Sequence, residues 1–151
     1  MLPRTYDNQV CSIARALEAI GDRWTMLVIR DAFVGVRRFD EFQERLGIAR
    51  NVLTDRLSRL VDEGILEKHE YQERPQRFEY RLTPKGVDLF PVLVSLMKWG
   101  DRHAPEENGP PLAVIHRDCG GEIDERLLCS RCGEPVTALN AEARQLVPSA
   151  G

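Results

Sequence analysis

The chain of 151 residues has no uninterrupted apolar run of the roughly 18 residues that a membrane-spanning helix needs. Its opening residues, MLPRTYDNQVC, lack the basic-then-apolar order of a secretory signal. Both absences point to a cytoplasmic protein with no membrane partner, in a compartment where cysteines stay reduced. Histidine is scarce. His69, His103 and His116 are the only three, and none stands with a serine, cysteine or carboxylate as a nucleophile with its base. There is no glycine-rich phosphate loop and no HExxH. These absences speak against an enzyme. A CxxC oxidoreductase would need its cysteines at a helix N-terminus near a βαβ unit, and the CxxC here lies in a strand-rich tail. An excess of positive charge is also missing: Lys and Arg number 21 against 24 Asp and Glu, for a net charge of −3. That excludes a uniformly basic nucleic-acid binder and leaves open a basic patch made by folding.

Hydrophobic residues make up 42% of the chain, enough for one domain with a real core. CSIARALEAIG carries Ile13, Leu17 and Ile20 at helical spacing, with Gly21 as a stop. DRWTMLVIRDAFVG follows, with Asp22 as its expected N-cap and Trp24, Leu27 and Val28 pointing inward. RRFDEFQERLG makes a short third helix on Phe39, Phe42 and Leu46. The turn GIA then leads into RNVLTDRLSRLVDEG, whose Leu53, Leu57, Leu60 and Val61 form one apolar stripe. Three close helices with a glycine-containing turn before the last read as a helix-turn-helix. ILEKHEY and FEYRLT read as two strands around the polar loop QERPQR. Helix-turn-helix followed by a hairpin is the winged-helix layout. Thr83 then caps a helix with Pro84 at its first position. That helix, residues 84–103, carries two apolar stripes: Val87, Phe90, Val94 and Met97 on one, Leu89, Leu93 and Leu96 on the other. One stripe serves the domain and the other is expected to meet a partner subunit. Pro91 is expected to kink it.

The expected fold class is therefore mainly α with a small β wing. It comprises a winged helix-turn-helix and dimerisation domain over 1–103, a linker at 104–111, a zinc-ribbon-like hairpin over 112–140, and a frayed tail at 141–151. The stretches IGDRW, RFDEFQERLGIARNVLTDRLSRLVDEGIL, RPQRFEYRLTPKG and LFPVL followed by WGD, in this order and with Cys11 ahead of them, resemble the HxlR family of transcriptional regulators. This family belongs to the wider MarR-like winged-helix group. The resemblance covers roughly residues 10–103. It implies a cytoplasmic homodimer that binds a near-palindromic site on double-stranded DNA and regulates transcription. Ala49 departs from the pattern, standing where many members have a helix-capping Ser, and alanine is a poor cap.

The polar face of the recognition helix is the first candidate site. Arg50 can pair with guanine O6 and N7, and Asn51 with adenine N6 and N7. Thr54 and Ser58 suit phosphate or base contacts. Asp55 can accept from a cytosine amino group or orient an arginine. Arg74 and Arg77 flank Pro75 at the wing tip, placed for phosphate or a minor groove. Arg37 and Arg38 open the third helix and can reach phosphate. The alternative function is a winged-helix and zinc-ribbon adaptor that uses the same face on protein. Cys11 starts the first helix, where the N-terminus favours a thiolate. It matches the cysteine that senses oxidants or electrophiles in some family members, so an oxidant or small-molecule effector is implied; the other reading is apolar packing at a dimer interface.

The tail spells His116-x-x-Cys119 and Cys129-x-x-Cys132, with Gly120 and Gly133 after each pair. Two residues between ligands let both curl round one ion, and a Cys₃His set matches a structural zinc site. The expectation is one zinc ion per chain held by His116, Cys119, Cys129 and Cys132. A metal-free hairpin, or a disulfide between Cys129 and Cys132, is the alternative.

Overall fold

The computed structural model describes residues 4–147. Among these it contains six helices and four strands. They run α1 (Ser12–Ile20), α2 (Thr25–Phe33), α3 (Phe39–Leu46), α4 (Arg50–Asp62), β1 (Leu66–Glu73), β2 (Gln76–Leu82), α5 (Pro84–Val87), α6 (Phe90–His103), β3 (Leu127–Leu128) and β4 (Pro135–Val136). The chain forms two compact units, residues 1–93 and 94–151. The boundary falls inside α6, upstream of the Pro- and Gly-containing stretch 104–111.

The first unit is a winged helix. Its core is made of Val28, Ile29 and Ala32 from α2, Val36, Phe42 from α3, Ile48, Leu53, Leu57 and Leu60 from α4, and Ile65 and Leu66 leading into β1. Leu53, Leu57 and Leu60 are between 0% and 1% exposed, so the leucine stripe read from the sequence is the buried face of α4. Gly47 ends α3 in the left-handed region at φ 65°, a conformation glycine adopts without steric cost. The chain then turns directly into α4. Asp31 is fully buried and accepts from Arg30 Nε at 2.9 Å and Arg45 Nη2 at 3.3 Å, which ties α2 to α3.

β1 and β2 form the wing as an antiparallel hairpin, with Leu66 opposite Leu82 and Glu73 opposite Gln76. The strands run further than the sequence suggested, because the cross-strand pairing continues into the polar residues, and only Arg74 and Pro75 remain as the turn. The register shifts between Glu70 and Gln72, which leaves Tyr71 as the extra residue of a bulge. The segment before α3 adds a third edge: Arg38 bridges to Glu79, and Tyr80 N donates to Arg37 O at 2.7 Å.

Three expectations need correction. Asp22 does not cap α2; Trp24 occupies the N-cap position, at φ 78°, and makes no side-chain cap. The Asp22 carboxylate is engaged by Arg59 of α4 instead. Leu27 is 39% exposed; the apolar run of α2 is dense enough to cover more than the buried face, which is Val28, Ile29 and Ala32. Residues 84–103 are two helices, not one kinked helix. Thr83 caps α5 as expected, its Oγ1 accepting from Gly86 N at 3.1 Å, but α5 ends at Val87. Pro91 is the second residue of α6, where its missing N–H costs nothing. Gly86 sits so close to the Ile65 carbonyl that a Cβ would lie 2.3 Å from the oxygen, so this position admits only glycine. The two stripes also sort differently. Val94 is the buried residue of α6, while Val92, Leu96 and Trp99 form an exposed apolar row.

In the second unit β3 pairs with β4, and Ile115 bridges to Glu122. Arg102 near the end of α6 pairs with Glu125 of the tail. Among the described residues none beyond Val94 is buried. Of the segment expected to fray, residues 141–147 carry no helix or strand, and 148–151 lie outside the described residues.

Candidate nucleic-acid interface

Burying Leu53, Leu57 and Leu60 turns the opposite side of α4 outward. Arg50, Asn51, Thr54 and Ser58 are exposed there, while Asp55 is half-buried. Ala49 adopts the extended N-cap conformation, and no side chain caps the helix. Thr54 Oγ1 donates back to Arg50 O at 2.8 Å. Asp55 accepts from Arg56, whose Nε donates to Arg23 O at 2.8 Å. Of the two roles open to Asp55, orienting an arginine is thus already performed within the chain. With the Arg59–Asp22 pair, these bonds lock the outer flank of α4 to the turn ahead of α2.

An open cleft runs between the start of α3, the start of α4 and the wing. Arg38, Arg50 and Arg77 line it together with Phe39, Tyr71, Phe78 and Tyr80. Asp40 and Glu41 line it too, so three guanidinium groups face two carboxylates. Both carboxylates lie in the first turn of α3, where the helix dipole favours them. Arg50 rests over the ring of Phe39 at 4.6 Å, and Arg38 over that of Tyr71 at 4.6 Å. The bulge that frees Tyr71 from the strand pairing is what brings its ring under Arg38. Each such stack contributes about 0.5–1 kcal/mol at an exposed site. Each stack orients its guanidinium without neutralising it. Burial raises the pKa of the Tyr80 phenol on the cleft wall.

The residues singled out in the sequence are distributed as follows. Arg50, Asn51, Thr54 and Ser58 share the outer face of α4, and Arg38 and Arg77 meet Arg50 around the cleft. Arg74 stands at the wing turn. Arg37 is turned inward: its Nη1 donates to Ala32 O at 2.8 Å and Val36 O at 3.1 Å, holding the loop before α3. Tyr71, Arg56 and Arg59 carry no signal in the sequence, and Phe39 reads there only as an apolar residue of the third helix. Their roles depend on partners far away in sequence, and no local pattern marks them.

Cys11 is the exposed N-cap residue of α1, and its side chain does not cap the helix. Arg15, one turn on, donates to Tyr6 O and Gln9 O and pairs with Glu18, so its charge is engaged away from the thiol. In the tail, His116 Nδ1 lies 3.2 Å from Cys119 Sγ. The backbone amides of Cys132 and Arg131, followed by the Cys132 side chain, lower the pKa of the Cys129 thiol by hydrogen bonding. The His116–Cys119 pair is thus assembled. Among the described residues, however, no group of three or more His, Cys, Asp or Glu side chains converges closely enough to hold a metal ion.

Residues 19–108 match the family model described as the HxlR-like helix-turn-helix. The chain belongs to the HxlR family. It is a transcriptional regulator with a winged helix-turn-helix of the MarR-like kind. Rv3095 of Mycobacterium tuberculosis, an uncharacterized HTH-type transcriptional regulator, is 49% identical over 85% of this chain and 82% of its own. The crystal structure of PA1607, a transcription-factor candidate, superposes with a TM-score of 0.82 at 36% identity, covering 93% of this chain and 98% of that one. This HxlR chain is also similar to the redox regulator HypR in its oxidized form, with a TM-score of 0.57 at 30% identity over 62% of this chain and 97% of HypR.

The N-terminus of α4 carries no side-chain cap. Ala49→Ser places a hydroxyl where the helix has no cap, in a backbone conformation that already suits one. Chemical denaturation at fixed protein concentration should show a gain of about 0.5–2 kcal/mol. No gain would mean that the first amides of α4 are already satisfied.

Proposed function

We propose that this regulator binds a near-palindromic operator in double-stranded DNA as a homodimer. The observation that carries the reading is the gathering of Arg38, Arg50 and Arg77 on one cleft beside the outward face of α4. A chain of net charge −3 has no general affinity for phosphate. It needs a local concentration of guanidinium groups, and the fold supplies one at the place where a winged helix meets a duplex. In this reading α4 enters the major groove, with Arg50 and Asn51 on base edges and Thr54 and Ser58 on bases or phosphate. Arg38, Arg74 and Arg77 take phosphates or the minor groove, and Arg37 acts through the shape of its loop. The adaptor alternative has no comparable support, because an arginine-rich cleft beside a face of short polar side chains suits a duplex better than an apolar protein surface.

Two exposed apolar rows support the homodimer. Val10, Ile13 and Leu17 are exposed at and along α1, and Val92, Leu96 and Trp99 along α6. Groups of this size are rarely left to water together, and two half-sites require a two-fold protein. Cys11 lies at the α1 N-terminus beside one of these rows, so oxidation or alkylation there would act on the dimer and through it on DNA. The similarity to HypR supports a redox effector.

Binding to duplexes selected from a random pool tests the first claim. Arg50→Ala and Asn51→Ala should each relax base preference by roughly 1–3 kcal/mol, whereas Arg77→Ala should weaken all sequences alike and flatten the salt dependence. If the three variants behave identically, helix and wing do not have these roles. Leu96→Glu should yield monomers by sedimentation and lose tight binding to the full site; a monomer that still binds tightly refutes the two-fold arrangement. Cys11→Ser should retain operator binding and lose its response to peroxide or quinone. An unchanged response assigns Cys11 to packing.

A further inference from the structure

The tail contains the same turn twice. In the first, His116 N donates to Gly121 O at 2.7 Å and Gly120 N donates to His116 O at 2.8 Å. In the second, Cys129 N donates to Glu134 O at 2.9 Å and Gly133 N donates to Cys129 O at 2.8 Å. The closing glycines are both left-handed, at φ 72° for Gly120 and 75° for Gly133. Each turn carries its candidate ligands at its first and fourth positions, and each is flanked by a minimal hairpin, the Ile115–Glu122 bridge for one and β3–β4 for the other. In the first turn Gly121 N donates to Cys119 Sγ at 3.4 Å.

Two further observations point to an ion. The first is spacing. Ligands of a tetrahedral zinc, with nitrogen at ~2.0 Å and sulfur at ~2.3 Å, stand about 3.5 Å apart; His116 Nδ1 and Cys119 Sγ are 3.2 Å apart. The second is the lack of a core. Two-residue strands cannot hold a fold by themselves, and among the described residues none in the tail is buried. Leu127 and Leu128 are exposed. A segment with defined turns and only the half-buried Val114, Ile123 and Val136 as an apolar interior is the kind that a structural metal completes.

We propose that the two turns are the halves of one zinc site, and that His116, Cys119, Cys129 and Cys132 close on a single Zn²⁺ in each chain. The pairs are separate among the described residues, and the ion is what draws them together. On binding, the three thiols give up their protons to solvent, three thiolates and the neutral imidazole coordinate the metal, and no electron is transferred. Cys11 takes no part. This proposal is independent of the DNA reading, since it concerns only residues 94–151.

The test uses the full chain purified under reducing conditions without chelator. Elemental analysis should find about one zinc per chain. Replacing zinc with Co²⁺ should give the visible bands of a tetrahedral ion and a sulfur-to-cobalt charge-transfer band. Titration with a thiol reagent should find one fast-reacting cysteine before a chelator is added and four afterwards. Cys129→Ser combined with Cys132→Ser should lose at least nine-tenths of the zinc, and Cys11→Ser should keep all of it. If the double variant is poorly soluble, the cobalt spectrum and thiol count of the unaltered chain still decide. Four fast thiols at the outset, a disulfide between Cys129 and Cys132 in the reduced preparation, or half a zinc per chain shared between copies would each overturn the site.

Discussion

The first unit depends on one constraint: the leucine stripe of α4 has a single place to go. Leu53, Leu57 and Leu60 are sealed against α2, α3 and the start of β1. Burying each contributes about 1.5–3 kcal/mol. Together they amount to much of the 5–15 kcal/mol by which a domain is usually stable. A rotation of α4 about its axis would expose them. The outward direction of Arg50, Asn51, Thr54 and Ser58 is thus a consequence of core packing, and the presented face is as rigid as the core beneath it. Ile65 and Leu66 extend the same core into β1, which sets where the wing begins.

Electrostatics then sorts the arginines. Asp31 holds Arg30 and Arg45, Asp22 holds Arg59, and Asp55 holds Arg56. Carbonyls of the preceding loop hold Arg37. Arg45–Asp31 ties α3 to α2 and Arg59–Asp22 ties α4 to the turn ahead of α2, while the other contacts engage their guanidinium groups locally. Arg38 and Arg50 are treated differently, since their partners are aromatic rings, which orient a guanidinium without neutralising it. The chain can therefore be acidic overall and still present cationic groups in one cleft. The net charge of the whole chain carried little information about that cleft, because it counts engaged and unengaged groups alike.

What was legible in the sequence was whatever a short periodic pattern decides. The α4 stripe, the Gly47 stop, the Thr83 cap and the alternation of Phe78, Tyr80 and Leu82 each depend on neighbours a few residues away. Contacts across the chain overrode the rest. Asp22 has the right chemistry for an N-cap, but Arg59 lies within reach in the fold and takes its carboxylate. Pro91 looked internal only because the break at Asp88 and Leu89 leaves no local mark. The close approach of Gly86 to the Ile65 carbonyl brings together residues 21 positions apart. The cleft was invisible for the same reason: Phe39 and Tyr71 belong to different elements, and a strand bulge is needed to align the second with Arg38.

The two units differ in what stabilises them. Residues 1–93 enclose eleven clustered buried side chains, so their fold follows from apolar burial and should respond to temperature and denaturant as ordinary domains do. Beyond Val94 no described residue is buried, and the order there resides in backbone turns, short ladders and the Arg102–Glu125 pair. An exposed ion pair contributes at most about 1 kcal/mol, and each net hydrogen bond about as much. Those terms are too small to offset roughly 1–2 kcal/mol of backbone entropy per ordered residue over a tail of this length. The backbone of the tail therefore needs a further source of free energy. Apolar burial within it is slight: Leu127, Leu128 and Leu139 are exposed, and Val114, Ile123 and Val136 are only half-buried. The same turn, with His116 or Cys129 at its first position, Cys119 or Cys132 at its fourth and glycine at its fifth, occurs twice in a segment with so little apolar burial.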